Sequence, residues 1–489
     1  MDQVASICLA FPPEHLRDDD DSAYHKAMES QLTQLSKLLK DPSQPLRTDG
    51  LALLSLLDPS VNSLSYLAVI HSLCIPGLAG PREQLLERLV VFLLSFDARQ
   101  LRYAGAHLLD ILNVVGQGQL LPPAVAVNVL AAAILRIDPS GSMLTSTHIN
   151  LVKLAYTTDN IEPALPVIDN SIVFYPGMAN HKTPDLLCDL TLSPPSFISK
   201  DSGLTSLLKA PAILEYDLLC GMMYCARRDW AKAVAAFERV ISYPTRDMGT
   251  SKIMADAYKK WVLVSLLHAG KYTALPSYTG AGAVKAYGAI GKLYKDVATI
   301  FETENAADLK AEVDEHTKEW LDDGNTGLIG EVLSAYQQWQ IVNLRRVYSK
   351  ISIPEIRQLT KCAQIGDVLT KDEDVETLIQ NMIISGTLSG VIEKNDNGVS
   401  FLTFLSSSAT LPEVDFAREI ANTATRLKAL QPVFKATTER LGTTKEYIKH
   451  LVKEQRRAGD KDGDITMGFG ADIEDEDLMG EGPTAEALF

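Results

Sequence analysis

Residues 351–404 read ISIPEIRQLTKCAQIGDVLTKDEDVETLIQNMIISGTLSGVIEKNDNGVSFLTF, and the order of elements within them decides the fold. Ile351-Ser352-Ile353 is a short strand, and Ser352-Ile353-Pro354-Glu355 is a helix start with Pro near the first turn. One short helix then runs from Glu355 to Cys362. A second spans Asp372 to Ser385 and turns Val375, Leu378, Ile379, Met382 and Ile383 inward at helical spacing. Leu388 to Glu393 and Val399 to Phe404 then alternate apolar with polar residues about Asn395-Asp396-Asn397-Gly398, a hairpin signal.

Strand, helix, helix, hairpin is the order of a winged helix, placed at about residues 344–405. Its commonest use is DNA reading. The would-be recognition helix, however, opens with Asp372-Glu373-Asp374 and adds Glu376, with Lys371 at its edge, so no guanidinium faces a base. The whole chain agrees, because a formal charge of -16 over 489 residues repels phosphate backbones. A hairpin edge instead offers unpaired backbone groups to a neighbour's strand. Val399, Phe401 and Phe404 are apolar side chains of that hairpin.

Toward the C-terminus, residues 411–457 read as helices. Phe416, Ile420, Ala424 and Leu427 form one apolar stripe, Pro432 interrupts, and Tyr447, Ile448, Leu451 and Val452 form another. Such stripes need a partner, which is either another chain or the chain's own domain with the helices folded back on it; on the first reading Phe416, Ile420, Leu427, Ile448 and Leu451 are interface candidates. From Gly459 to Phe489 ten acidic residues stand against Lys461, a composition that predicts disorder.

Toward the N-terminus the chain reads as an all-α array. Its composition, 46% hydrophobic and 22% charged with a lean toward Ala and Leu, is that of a helical globular protein. Residues 1–80 carry an acidic run, Asp18 to Asp21, and Pro-punctuated segments that predict short helices. From Arg82, Leu85, Leu89, Phe92, Leu93 and Phe96 share one helical face, and Arg102 to Val115 makes a second helix. Ile111 to Leu135 has no charge, but Gly116-Gln117-Gly118-Gln119 and Pro122-Pro123 divide it into two buried helices rather than a membrane span.

Helical repeats are expected over residues 81–224, with a Ser/Thr/Pro-rich surface insertion at about 180–211. Leu144 to Val167 is one helix-turn-helix unit, turning at Thr157-Thr158-Asp159-Asn160. Glu215 to Ala226, Arg227-Arg228-Asp229 and Trp230 to Ile241 form a clearer one. It carries Gly221-x-x-Tyr224 and Ala233-x-x-x-Phe237 of the tetratricopeptide pattern, although Asp217 and Cys220 replace its Trp and Leu. Lys252 to Ala269 opens a third. Units of this kind stack because no single pair buries its own apolar face.

The chemistry of a catalyst is not legible. The nine His are scattered, with neither HExxH nor His-x-His for zinc. Asp314-Glu315-His316 with Glu319 reads as a solvated helix face. Gly280-x-Gly282 with Lys285 misses both the dinucleotide and the phosphate-loop patterns, and no Gly-x-Ser-x-Gly elbow occurs. Six Cys, at 8, 74, 188, 220, 225 and 362, lack redox or zinc spacing and read as free thiols. No catalytic residue, metal or cofactor is expected, and no secretory leader is read in Met1-Asp2-Gln3 onward.

A winged helix closing a helical repeat array resembles the PCI domain, shared by subunits of the proteasome lid, the signalosome and initiation factor three, whose wings associate subunits side by side; the resemblance implies Val399, Phe401 and Phe404 as interface side chains. Within that group the chain is similar to the subunit-three family of the COP-nine signalosome. The likeness lies in Leu101-Arg102-Tyr103-Ala104, Leu144-Thr145-Ser146-Thr147-His148, Pro163-Ala164-Leu165-Pro166, Tyr258-Lys259-Lys260-Trp261, Leu263-Val264-Ser265-Leu266-Leu267, Gly324-Asn325-Thr326-Gly327-Leu328 and Gly398-Val399-Ser400-Phe401, in order over residues 85–405.

The resemblance implies a PCI domain over about 225–405. It implies a non-catalytic scaffold in the cytoplasm and nucleus, a hetero-oligomer with other PCI subunits and with the zinc-metalloprotease module. Through the complex it would act on cullin-RING ubiquitin ligases, which the assembly deneddylates. Neither nucleic acid nor membrane is an expected partner. Two readings stand beside it, a PCI scaffold of the proteasome lid and a winged-helix adaptor for nucleic acid. Duplex retention lost on reversing Arg345 and Arg346 would support the adaptor.

Overall fold

The computed structural model describes residues 2–13, 20–41, 43–75, 77–176, 184–245, 249–395, 398–405, 413–442, 447–449 and 452. The chain divides into two compact units, Met1–Ser408 and Ala409–Phe489. The acidic segment from Gly459, together with Asp18 and Asp19, lies outside the described residues.

The first unit opens with α1 (Asp2–Leu9), α2 (Asp21–Lys40), α3 (Pro45–Thr48), α4 (Gly50–Leu56) and α5 (Ser63–Cys74). Short helices were the expectation, yet α2 runs for 20 residues from an Asp20 cap that accepts the Ala23 N–H. Next come α6 (Arg82–Ser95), α7 (Ala98–Leu101), α8 (Gly105–Gly116) and α9 (Pro123–Ile137). Leu85, Leu89, Phe92, Leu93 and Phe96 are all fully buried, as their spacing predicts. The uncharged stretch is two helices joined by a loop in which Gly118 takes φ +71°. No described helix is long and apolar enough to cross a membrane.

α10 (Ser146–Thr157) begins the first expected repeat, but its return is only a turn of 3-10 helix at Glu162–Ala164 and the four-residue α11 (Leu165–Ile168). Pro163 and Pro166 fall in that return, and proline forbids the hydrogen bonds of a longer helix. The Pro-rich segment that follows has, among its described residues, one short helix, α12 (Pro194–Phe197), and Leu190 and Leu207 are exposed on it. Cys188, Phe197, Ile198 and Leu204 are buried against the array.

α13 (Ala210–Ala226), α14 (Trp230–Ile241) and α15 (Lys252–Ala269) fall at the expected bounds, apart from an earlier start to α13. A Cβ at Gly221 would lie 2.5 Å from Phe237 Cε1, which is why the tight helix pair needs glycine there. Asp217 is buried where an aromatic residue was expected, and it accepts a hydrogen bond from Arg239 Nε at 2.7 Å. Then come α16 (Ala281–Ile290), α17 (Lys292–Phe301), α18 (Ala306–Glu315), α19 (Thr317–Asp322) and α20 (Thr326–Leu344).

α20 leads into β1 (Lys350–Ser352), α21 (Ile353–Leu359), α22 (Asp372–Ile384), β2 (Gly390–Lys394) and β3 (Ser400–Phe404). The sheet is antiparallel in the order β1-β3-β2, with Leu402 opposite Ile351 on one side and Ile392 on the other. Ser352 and Glu355 close a reciprocal capping box at the start of α21. A separate small core forms here, with Ile341 of α20 against Ile353, Ile356, Val375, Ile379, Met382, Leu388, Leu402 and Phe404. The second unit contains α23 (Glu413–Gly442). It runs through Pro432, which was expected to interrupt it. A proline inside a helix costs about 3 kcal/mol, which a 30-residue helix of mostly good helix formers absorbs.

Candidate assembly interface

Strand alternation sorts the hairpin side chains. Ser400, Leu402 and Phe404 share the face turned to the core, and Phe401 and Thr403 share the other. Phe404 is 9% exposed and belongs to the core of its own subdomain, so its role is packing, a correction to its place among the interface candidates. Phe401 is half-buried, with Lys350 Nζ 5.5 Å from its ring centroid. Val399 is exposed at the hairpin. β2 lies at the edge of the sheet, pairing with β3 on one side.

The acidic residues of α22 are partly committed within the chain. Arg357 Nε donates to Asp372 Oδ1 at 2.6 Å, and Ser400 Oγ donates to Glu376 Oε2 at 3.0 Å. Three apolar residues that sequence periodicity did not single out, Ile384, Val391 and Leu405, are exposed here, Ile384 at 83%. Ile384 follows Met382 and Ile383 and falls just off the inward stripe.

In the second unit, Phe416, Ile420, Leu427 and Phe434 are all more than half exposed. From Ile420 onward they recur every seven residues, the spacing of a seam that meets another helix. Ile448 is exposed as well, and Leu451 lies outside the described residues.

A buried polar join ties α15 to the start of α20. Lys260 Nζ on α15 donates to Asp256 Oδ1 at 2.7 Å and to Asn325 Oδ1 at 2.9 Å, just before α20. Asn325 Nδ2 donates to the Tyr294 hydroxyl, which donates to Asp323 Oδ2, both at 2.7 Å. Lys259 Nζ donates to Asp323 Oδ1 at 2.6 Å. Burial pushes Asp323 up, but the Lys259 and Tyr294 hydrogen bonds outweigh it and hold its carboxyl below the usual range. Tyr258-Lys259-Lys260-Trp261 and Gly324-Asn325-Thr326-Gly327-Leu328 thus meet in space. A cleft of about 380 Å³ beside the join has Leu218, Ile253, Lys259 and Asp323 in its wall. The Lys259 and Asp323 charges that face it are paired with each other.

His316 stands between α18 and α19, and ligand atoms of Glu312, Glu315 and His316 lie within 4.8 Å of one another. Asp314, which the sequence grouped with His316, is not among them. Both imidazole nitrogens face carboxylates, Glu312 at 3.6 Å and Glu319 at 3.7 Å, on a partly solvated surface.

The family described as COP9 signalosome complex subunit 3, N-terminal helical repeats, matches residues 23–185 and 195–282, passing over 186–194. The chain is 41% identical over 464 residues to the COP9 signalosome complex subunit 3 of Neurospora crassa, covering 93% of this chain and 92% of that one. It is 28% identical over 480 residues to the protein of that name from Emericella nidulans, covering 94% and 95% respectively. With likeness sustained through the repeats, the sheet and the stretch that carries α23, the chain belongs to the COP9 signalosome complex subunit 3 family.

Proposed function

We propose that the chain is a non-catalytic scaffold subunit of the COP9 signalosome. The observation that carries this reading is the 41% identity along 93% of the chain with a protein of that name. The scaffold comprises an N-terminal helical region over 1–80, helical repeats over 81–224, a PCI domain over 225–405 with its winged helix at about 344–405, and C-terminal helices over 411–457. Its work is to hold partners in place. Other PCI subunits meet the hairpin at Val399 and Phe401, and helices of sister subunits cover Phe416, Ile420, Leu427 and Ile448. A different, zinc-bearing subunit removes the ubiquitin-like modifier from cullin-RING ligases, in the cytoplasm and nucleus. The exposed heptad-spaced stripe supports this reading, because water contact with large apolar side chains is unfavourable by about 25 cal/mol per Å².

Affinity purification of the tagged chain from its source cells, with partners identified by mass spectrometry, tests the proposal. PCI subunits and a zinc metalloprotease subunit are expected, and the isolated chain is expected to leave a neddylated cullin intact. Recovery of proteasome-lid subunits would reassign the scaffold. A monodisperse, partnerless protein would contradict the proposal outright.

A further inference from the structure

We propose that residues 184–206 are a releasable clasp, held by the rest of the chain as an extended peptide ligand would be, through its backbone carbonyls and through the side chains of Cys188, Phe197, Ile198 and Leu204 that it buries. The segment makes little structure of its own. Its internal backbone hydrogen bonds are short-range, such as Asp189 N to Leu186 O, Ser196 N to Ser193 O and Gly203 N to Lys200 O, and its one helix is four residues long.

What holds it is supplied from outside. Arg99 Nε donates to Cys188 O at 2.9 Å, and Arg102 Nη1 donates to Leu187 O at 3.0 Å and to Asp189 O at 2.7 Å. Three consecutive carbonyls are thus taken by two guanidiniums, both less than a tenth exposed. Arg99 lies over the Tyr24 ring at 3.8 Å, and Arg102 over Phe197 of the clasp at 3.7 Å. Further along, Thr205 Oγ1 accepts the Ser146 N–H at the start of α10, at 3.0 Å, and Ser206 N donates to Ser146 Oγ at 3.1 Å. A Cβ at Gly203 would lie 2.5 Å from Ala106 N, so the clasp presses directly on the first turn of α8.

The two guanidiniums grip the carbonyls of Leu187, Cys188 and Asp189, and the buried Cys188 thiol adds a hydrogen bond to Asp21 O at 3.2 Å. The seat is also not saturated. Arg102 Nε is buried without a hydrogen-bond partner, a polar group whose desolvation the bound clasp leaves uncompensated. Release uncovers both guanidiniums and the starts of α8 and α10, and the native segment 184–206 is the peptide that this seat takes.

The test uses the full chain with residues 184–206 replaced by a Gly/Ser stretch of equal length, plus a synthetic peptide of the native 184–206 sequence. The peptide is expected to bind in trans and to raise the melting temperature of the replaced chain, and Arg102→Gln in that background is expected to abolish both effects. A folded replaced chain indifferent to the peptide would overturn the proposal. If the replaced chain does not fold, amide exchange in the otherwise native Arg102→Gln chain decides. The expected result is exchange at least about tenfold faster over 184–206, with α13 to α15 unchanged, since that arginine supplies two charge-assisted bonds. Acceleration spread evenly over the chain, or none, would refute a separately releasable clasp.

Discussion

Lys260 Nζ lies 2.9 Å from Asn325 Oδ1, a contact across 65 residues that ties the third repeat to the helix leading into the sheet. Lys260 is 5% exposed and Asn325 fully buried, so each depends on the other to replace lost water.

Asn325→Ala therefore removes one acceptor from a buried ammonium and leaves the Tyr294 hydroxyl without its donor. A loss of about 2 kcal/mol in unfolding free energy is expected by urea titration. Asp322→Ala, exposed and three residues away, is expected to change stability by less than about 0.5 kcal/mol.

His148 supplies a pH dependence. Its Nδ1 accepts the Thr145 N–H at 3.2 Å in the capping box of α10, and complete burial pushes its pKa from 6.5 down to about 3. Between those values the unfolded chain binds a proton that the folded chain refuses. The contribution of His148 to stability is therefore full above pH 6.5 and is lost as pH falls toward 3. The slope is about 1.4 kcal/mol per pH unit below the ordinary histidine pKa. His148→Gln keeps an acceptor at the capping-box position without titrating, and is expected to flatten the acid limb of a stability-versus-pH curve by one proton.

Gly221 and Phe237 should couple. Gly221→Ala pushes a methyl group into the Phe237 ring and is expected to destabilise by about 1–3 kcal/mol. Phe237→Leu alone leaves a gap in a fully buried site. The double variant is expected to lose less than the two singles added together, and a double-mutant cycle by thermal melting measures the difference.

The hairpin separates packing from contact. Phe404→Ser empties part of the small core and is expected to destabilise by about 3 kcal/mol, whereas Val399→Ser, at an exposed position, is expected to leave melting unchanged and to weaken recovery of sister subunits.

The hairpin, the two short helices before it and the α13–α14 pair were legible because their signals are local. Alternation and turn residues mark β2 and β3, and helical spacing with Gly221 opposite Phe237 marks the repeat. The anchoring of residues 184–206 has no local signal, because Ser, Thr and Pro look the same on a free loop as on a segment whose carbonyls are held by Arg99 and Arg102 from nearly ninety residues away. Phe404 was misassigned for a smaller reason: alternation says which residues share a face, and only the fold says which face is covered. Proline at 432 read as a break, although a long helix tolerates it. The Lys260–Asn325 join had no local signature at all.

The central claim is that sister subunits cover the stripe on α23, and one comparison tests it most directly. The tagged chain and its Ile420→Asp/Leu427→Asp variant are purified in parallel from source cells, and co-purifying proteins are quantified. Both positions are exposed, so melting of the isolated variant should match that of the unaltered chain. The unaltered chain should bring signalosome subunits with it and the variant should lose them. Full recovery of those subunits by the variant would contradict the account.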